Sequence, residues 1–321
     1  MNIDELKDAL RPYISIEDLG ITVYAVIKGA EEDGPKRLDI EQDSHDCLLQ
    51  MFAKRIRSQI VDRTEVSVMN LSDSDERQNV IYEYDLEIPQ ELQALQSVTL
   101  TDDTALLSLN DESLSQIKAI VVEIGNNEGQ LVLYKTMAPI NVFGRDKIFL
   151  KKHESRLARI DDEFLRISDG FQMLHVNGTL MVLDLKTLES KFGFHDVVKR
   201  EAETGLQTIE EMGLLENPET LRELIDDVKF ARKLTKVARS SPVLQQMISN
   251  DRIIAFCKNY PTLKSIKFNN DEDKILLDTQ KSKDLFIKLL MDDYLVSQLT
   301  SRHYESLAKD VADADATAAT A

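Results

Sequence analysis

The segment FQMLHVNGTLMVLD (residues 171–184) predicts a β-hairpin. Two runs rich in large apolar and β-branched residues flank Asn177-Gly178, and this dipeptide suits a type I′ turn because both of its residues tolerate positive φ. KAIVVEIGNNEGQLVLYKTM (118–137) has the same organisation around a Gly/Asn turn and predicts a second hairpin. The sequence therefore favours antiparallel pairing of strands that are adjacent along the chain.

Other segments predict helices, so the expected fold class is α+β. SHDCLLQMFAKRIRSQI (44–60) has apolar residues at helical spacing and predicts an amphipathic helix, and KTLESKF (186–192) predicts a short one. We expect a mixed α/β N-terminal part with short strands and hairpins. A C-terminal part built from hairpins and helices follows it.

The chain length of 321 residues is sufficient for two domains with separate cores. Residues 1–150 are expected to form an acidic mixed α/β domain that serves protein contacts. Residues 151–310 are expected to form a second domain, which starts at the basic Lys151-Lys152 pair and contains a basic helix. Residues 311–321 are small and polar, and we expect them to be disordered.

Charge is distributed unevenly along the chain, whose formal net charge is −18. Residues 1–150 contain 14 Lys and Arg against 28 Asp and Glu, a net charge of −14. Residues 151–321 contain 25 against 29, a net charge of −4. Within that half, residues 229–267 contain nine basic residues against Asp251 alone, a local charge of +8. Local patches determine the field that a partner meets, so a basic surface on an acidic protein is expected.

A helix that starts at Asn217-Pro218 and reaches Ser240 carries the basic surface. Its cations recur at i, i+3, i+4 and i+7, which places them on one face. One alternative is a solvated face in which acids lead and bases follow, as the helix dipole favours. The other is a phosphate-binding face without base recognition. The candidate DNA-binding residues are Lys229, Arg232, Lys233, Lys236 and Arg239 on this helix, together with Lys151, Lys152 and Arg156.

Asp169, Asp184 and Lys186 form a weaker, alternative site. An acid before one strand and an Asp-x-Lys at the end of the next resembles the metal site of restriction-type nucleases, where carboxylates hold Mg²⁺. Solvated strand ends are the default interpretation of this short pattern. The five histidines lack zinc spacing, and the sequence contains no phosphate-binding loop or nucleophile elbow. We therefore expect no catalytic residues, no metal, no cofactor and no enzyme activity.

The segment LLMDDYLVSQLTSRHYES (289–306) begins as a helix that is apolar on nearly every side and then becomes polar. Ser282 is expected to cap this helix, and Lys288 to pair with Asp292 one turn further on. Asp292 and Asp293 are expected to hold neighbouring cations or loop amides. In this interpretation the segment is a structural support for the basic helix.

The cellular compartment is inferred from three features: the number of cysteines, the length of the apolar runs and the character of the N-terminal segment. Cys47 and Cys257 are the only cysteines, too few for a disulfide framework. No apolar run approaches the length of about 20 residues that crosses a bilayer. The acidic start MNIDELKDAL is unlike a secretory signal, so we expect a cytoplasmic protein.

Three segments together carry a resemblance to a known family: FQMLHVNGTLMVLDLKTLESKFGF (171–194), SIKFNNDEDKILLDTQKSKDLFIKLL (265–290) and the 289–306 segment. Over roughly residues 130–310 the chain resembles the KwaB family, the soluble DNA-binding subunit of the Kiwa anti-phage defence system. The resemblance implies a DNA-binding effector that opposes phage DNA replication. It also implies a membrane protein partner, KwaA, that would recruit this chain to the inner membrane, and self-association as a homo-oligomer.

Three functional hypotheses remain open on the sequence alone. The first is a non-enzymatic DNA-binding effector held at the inner membrane through its partner. The second is a metal-dependent DNA nuclease that uses Asp169, Asp184 and Lys186. The third is an interaction scaffold whose basic face binds an acidic protein surface in place of DNA.

Overall fold

The computed structural model describes residues 1–29, 34–74, 79–89, 92, 105–108, 114–137, 142–143, 149–160 and 164–306. The chain divides into two compact units, with the division between Phe194 and His195. The sequence instead suggested a boundary near residue 150. The tail 311–321, expected to be disordered, lies outside the described residues.

The first unit is built on an eight-stranded sheet. Its strands are β1 (Gly20–Ile27), β2 (Lys36–Arg37), β3 (Ser67–Asn70), β4 (Val80–Glu83), β5 (Ile117–Asn126), β6 (Gly129–Thr136), β11 (Met173–Val176) and β12 (Thr179–Val182). Their order across the sheet is β2-β1-β5-β6-β11-β12-β4-β3, and every neighbouring pair is antiparallel except β3 and β4. Together with the helices below, this sheet confirms the expected α+β class.

Both predicted hairpins are confirmed, and they explain why the first unit extends past residue 150. Asn177 and Gly178 have φ of 50° and 78°, so this turn joins β11 to β12 with the backbone that a type I′ turn requires. Strand β11 also pairs with β6, with Leu174 opposite Leu133. This long-range pairing makes the 171–184 hairpin part of the first unit's sheet.

Two helices cover one face of the sheet. Helix α1 (Ile3–Leu10) begins with a capping box between Asn2 and Glu5. The predicted amphipathic helix is α2 (Gln42–Ile56), which continues as a π-helical turn over Arg57–Val61. Leu6, Phe52 and Ile56 are fully buried against the apolar face of β1, β5, β6 and β11. Burial of this surface stabilises the unit at roughly 25 cal/mol per Å² of apolar area.

Aromatic residues pack together in a second part of the first unit. Tyr134 on β6 meets Phe192 edge-on at 5.1 Å between ring centroids, and Tyr84 meets Phe194 in the same way at 6.3 Å. Phe192 follows the short helix α3 (Leu185–Lys191), which the sequence predicted. Two small antiparallel pairs complete this unit: β7 (Val142–Phe143) with β10 (Phe164–Leu165), and β8 (Phe149–His153) with β9 (Arg156–Ile160).

The second unit consists of helices and two short hairpins. Its helices are α4 (Phe194–Glu211), which starts at the division, α5 (Glu219–Arg222), α6 (Val228–Ser240), α7 (Pro242–Gln245), α8 (Asn250–Asn259) and α9 (Gln280–Leu290). Its hairpins pair β13 (Lys267–Phe268) with β14 (Ile275–Leu276), and β15 (Tyr294–Val296) with β16 (His303–Glu305). Residues 267–276 therefore form a hairpin.

Close packing fixes α6 within the second unit. A Cβ at Gly205 of α4 would lie 2.7 Å from the Ala238 Cβ and 2.9 Å from the Leu234 carbonyl oxygen. Glycine is therefore required where α4 and α6 approach each other. The buried Thr235 hydroxyl also lies 3.2 Å from the Val198 carbonyl oxygen, which it can bond across the same contact. These contacts hold one side of α6 in the interior and leave the other side accessible.

Candidate nucleic-acid interface

Helix α6 is shorter than the sequence predicted. The expected helix from Pro218 to Ser240 is interrupted after α5, and α6 begins at Val228. Asp227 causes the restart, because its backbone is extended (ψ 108°) and its carboxylate accepts hydrogen bonds from the amides of Lys229 and Phe230. An N-cap of this kind contributes about 0.5–2 kcal/mol. The prediction of one continuous helix was wrong.

This restart weakens the dipole explanation for the order of charges. The acids at 219–227 precede α6 and do not form its first turns, whereas Lys229 now lies in the first turn of α6. A cation near a helix N-terminus is disfavoured by the helix dipole. The position of Lys229 therefore has no explanation in the electrostatics of its own helix.

The predicted cations do share the accessible side of α6. Phe230, Ala231, Leu234 and Val237 are buried, and Lys229, Lys233 and Arg239 are exposed. Arg232 and Lys236 are half-buried on the same side. Spacing of three and four residues therefore produced the expected face, with a buried apolar stripe opposite the cations.

Intramolecular ion pairs reduce the free charge of this face. The Lys233 ammonium lies 2.7 Å from the Asp284 carboxylate of α9, and the Arg239 guanidinium lies 3.0 Å from the Glu201 carboxylate of α4. Lys229 and Arg232 also interact with their surroundings. Lys236 forms no ion pair within the part of the chain that the structure describes. No local signal in the sequence identifies Asp284 and Glu201 as ion-pair partners, because both lie far along the chain from the cations they contact.

Ion pairs also neutralise cations in the rest of the basic segment, between residues 252 and 267. Lys258 pairs with Glu272 and Lys267 with Asp278, each at 2.6 Å. The Glu272 pairing lowers the pKa of its carboxyl group through the hydrogen bond from Lys258. The local charge of +8 in the sequence is thus partly balanced in three dimensions by acids that follow it.

The three remaining predicted cations lie on the β8–β9 hairpin of the first unit, which we call the ribbon. Lys151, Lys152 and Arg156 are exposed, and none of them forms an ion pair with the described residues. The register places Lys152 opposite Leu157, and Leu157 is 68% exposed. The ribbon thus offers cations and an exposed leucine together. The cations could be recognised from the sequence, whereas no sequence pattern indicates that Leu157 is exposed.

The nuclease-like residues have ordinary structural environments. The Asp184 carboxylate caps α3 by accepting from the Thr187 amide at 3.2 Å and the Thr187 hydroxyl at 2.8 Å. Lys186 and Asp169 are exposed. Among the described residues, no group of three or more His, Cys, Asp and Glu side chains could hold a metal ion. The nuclease hypothesis stays a prediction that these contacts do not favour.

A lysine beside Asp169 is buried, which the sequence did not indicate. The Lys135 ammonium donates to the Ser168 hydroxyl at 2.9 Å and to the Gly170 carbonyl oxygen at 2.8 Å. Burial lowers the pKa of Lys135, and the nearby charge of Asp169 opposes that change. These bonds hold the segment that enters β11.

The 289–306 segment departs from its predicted form. Helix α9 ends at Leu290, and Leu295 and Val296 belong to β15 instead of the helix. The N-cap of α9 is Thr279, with Ser282 three residues into the helix in a capping box. The expected Lys288–Asp292 pair is absent, because Lys288 pairs with Glu305 of β16. The turn after α9 carries Asp292 away from Lys288 with a positive φ of 55°.

The two aspartates of this segment have different environments. Asp293 is 7% exposed, and its backbone oxygen accepts from the Ser306 amide at 2.8 Å. Tyr294 is buried beside it, and burial raises the pKa of this phenol. Asp292 is exposed at the surface. The predicted structural role therefore fits Asp293, and Asp292 is available for other contacts.

Comparison with known proteins identifies the family. The model of the family described as "Kiwa protein KwaB-like" matches residues 114–300. The chain belongs to the KwaB family. It is also 28% identical over 280 residues to a protein named Kiwa protein KwaB from Escherichia coli O55:H7 (strain RM12579 / EPEC), covering 85% of this chain and 89% of that protein. No solved structure matches the chain.

The KwaB match spans both units of the fold. Residues 114–300 include β5, β6 and the 171–184 hairpin of the first unit, and nearly all of the second. The ribbon, α6 and α9 all fall within the matched range. Among the residues that the structure describes, no helix has the length and apolar character needed to cross a membrane.

Proposed function

We propose that this KwaB-family chain acts in Kiwa anti-phage defence by binding DNA and opposing phage DNA replication. The observation that carries the proposal is the accessible side of α6, where Lys229, Arg232, Lys233 and Lys236 recur at one-turn spacing in a chain of net charge −18. Such a local concentration of cations attracts a polyanion even when the whole chain is acidic.

The ion pairs on this face are compatible with DNA binding. Lys233 and Asp284 keep 51% and 39% of their side-chain surface exposed. Exposed pairs of this kind contribute only about 0–1 kcal/mol, so a phosphate group can replace the carboxylate at little cost. Release of counterions from DNA supplies the driving force. Contacts would be to the phosphate backbone, with little sequence preference.

The ribbon provides a second group of cations for the same ligand. Lys151, Lys152 and Arg156 require no internal partner to be displaced, since they form no ion pairs with described residues. A two-stranded ribbon also has a width that the DNA major groove accepts. Phosphate contacts from this hairpin would strengthen binding without adding base recognition.

The proposed partners are inferred from membership of the KwaB family and from the distribution of charge along the chain. KwaA, the membrane component of the system, would recruit this chain to the inner membrane, and the chain would self-associate in that assembly. The strongly acidic residues 1–150, with a net charge of −14, are unsuited to DNA and suited to contacts with proteins. Cytoplasmic DNA and a membrane partner would then contact differently charged parts of one chain.

Neutralising the α6 face tests DNA binding. The variant changes Lys229, Arg232, Lys233 and Lys236 to Gln, because Glu at position 233 would repel Asp284 and disturb the fold. The control removes the same number of charges from exposed positions elsewhere, at Lys28, Lys54, Lys191 and Arg302. Binding to a labelled duplex is measured by fluorescence anisotropy across a salt series.

The face variant should bind at least tenfold more weakly than the control variant at moderate salt. Its salt slope should fall by about one for each phosphate that the variant no longer neutralises. Defence in cells should fail with the face variant and persist with the control. Equal DNA affinity of two folded variants would refute the proposed face, and a folded wild-type protein that binds no DNA would support the scaffold hypothesis.

A further inference from the structure

A cleft of about 250 Å³ opens in the second unit, beside the end of α6. Its apolar walls include Val243 of α7, Ile248 of the following loop, and Ile253 and Phe256 of α8. The Phe256 ring packs on Tyr260, with 5.3 Å between the ring centroids and 31° between the planes. One wall of the cleft is therefore partly aromatic, with the Phe256 ring held in place by Tyr260, and a flat ring can pack against it.

Three polar side chains line the same cleft: Gln246, Arg252 and Asp292. Arg252 and Asp292 are both exposed and carry opposite charges, but they form no ion pair with each other. Neither forms a side-chain hydrogen bond or ion pair with another described residue. Lys258 and Lys267 nearby in sequence do find carboxylate partners. The cleft thus keeps a free cation, a free carboxylate and an amide at an apolar surface.

The backbone supports the exposed placement of Asp292. Its φ of 55° lies in the left-handed region just after α9, where glycine is the usual residue. The turn directs the chain back into β15 and leaves the carboxylate of Asp292 lining the cleft, separate from the buried Asp293.

We propose that this cleft binds a single nucleotide whose base carries an exocyclic amino group, which means adenine, cytosine or guanine and excludes thymine. The base packs against Ile253 and Phe256. The Asp292 carboxylate accepts a hydrogen bond from the amino group, as acids do from cytosine N4. The Arg252 guanidinium binds the phosphate through charge-assisted hydrogen bonds.

An apolar side chain of a protein partner is a poorer occupant. It would fill the cleft while removing water from Arg252 and Asp292 without pairing them, and unpaired burial of charge is costly. The volume lies below the roughly 300–1,000 Å³ of most small-molecule pockets, so one base fits and a dinucleotide does not. The nucleotide is either free or part of a DNA strand. The strand form rests on the proposed DNA binding, and the free form does not.

The experiment measures binding of dAMP, dCMP and dTMP, and of single-stranded oligo(dA) and oligo(dT), to the full chain by calorimetry. Three variants perturb the cleft: Arg252→Gln, Asp292→Gly, and Ile248→Trp, which fills it without changing charge. Lys264→Gln and Asp271→Asn are the matched controls, because each removes an exposed charge of the second unit outside the cleft.

If the site takes free nucleotides, dAMP and dCMP should bind about tenfold more tightly than dTMP. Ile248→Trp should abolish binding, and Arg252→Gln should weaken it about 10- to 100-fold, as expected when a bond to a charged group is removed. Asp292→Gly, which removes the acceptor, should remove the preference over dTMP. The controls and the α6 face variant should retain wild-type affinity for dAMP, which separates this site from the proposed DNA face.

If the site takes a nucleotide of a strand, the mononucleotides should not bind. Oligo(dA) should then bind more tightly than oligo(dT), and both Ile248→Trp and Asp292→Gly should abolish that difference. The proposal is overturned if folded Ile248→Trp protein binds every probe as the wild type does. It is also overturned if the wild type binds oligonucleotides without any preference between the two bases and binds no mononucleotide.

Discussion

The Lys233 ammonium lies 2.7 Å from the Asp284 carboxylate, which joins α6 to α9 across 51 residues of sequence. Both side chains remain partly exposed, so the pair occupies the surface that the proposed DNA face uses. If α6 binds DNA as proposed, Asp284 would compete with phosphate for Lys233. A substitution at Asp284, which lies outside α6, can therefore change the net charge of the α6 face.

Removing the competitor should strengthen DNA binding. Asp284→Asn frees Lys233, and affinity for duplex DNA at moderate salt should rise by up to about fivefold, the equivalent of one exposed ion pair. Unfolding free energy should change by no more than about 1 kcal/mol. Anisotropy titration and thermal melting measure the two quantities.

Asp271→Asn is the control for that experiment. It produces the same change of net charge at an exposed acid in the β13–β14 turn, where no ion pair is formed with described residues. If both variants gained affinity equally, the effect would come from net charge and not from the Lys233 pair.

The local elements of the fold could be predicted from sequence, and the domain division could not. The Asn177-Gly178 turn and the helix over residues 42–56 depend on residues that are close along the chain. The pairing of Leu174 with Leu133 joins strands about 40 residues apart, and alternation of apolar residues carries no information on such a partner. Because this pairing is not visible in the sequence, the 171–184 hairpin was expected in the C-terminal part of the chain. In the structure it belongs to the sheet of the first unit.

The same limit applies to the candidate site. Helical spacing was sufficient to place Lys229, Lys233 and Lys236 on one accessible face. The pairing of Lys233 and Arg239 with acids on α9 and α4 depends on helix packing, which spacing does not encode. The start of α6 at Asp227 was also not predictable. Acidic residues are common both in the first turn of a helix and at its N-cap, so the acids at 219–227 did not show where the helix begins.

Asp184 and Lys186 should differ in their effects on stability. Asp184→Ala removes the cap of α3 and should lower the unfolding free energy by about 0.5–2 kcal/mol. Lys186→Ala changes an exposed side chain and should stay within about 0.5 kcal/mol. Neither variant should alter the integrity of DNA incubated with Mg²⁺. Mg²⁺-dependent degradation by the wild type that both variants abolish would establish the nuclease hypothesis instead.

Substitutions of Asp293 and Asp292 should also differ in their effects on stability. Asp293→Ala removes a buried carboxylate that interacts with its surroundings, and should lower the unfolding free energy by about 1–3 kcal/mol. Asp292→Gly suits the positive φ of this position and should change stability by less than about 1 kcal/mol. Chemical denaturation gives both values. A larger loss for Asp292→Gly than for Asp293→Ala would contradict the structural role assigned to Asp293.

Stability should depend on the protonation of His175, which is half-buried in β11. Burial lowers the pKa of this imidazole below its usual 6.5, and a backbone bond involving Gly178 only partly opposes the change. The unfolded chain then binds a proton more readily than the folded one, so the contribution of His175 to stability is complete above pH 6.5 and is lost as pH falls below it. His175→Gln should therefore flatten the decline of unfolding free energy between pH 7.5 and pH 5.5. Identical pH profiles of His175→Gln and wild type would show that this imidazole titrates alike in both states.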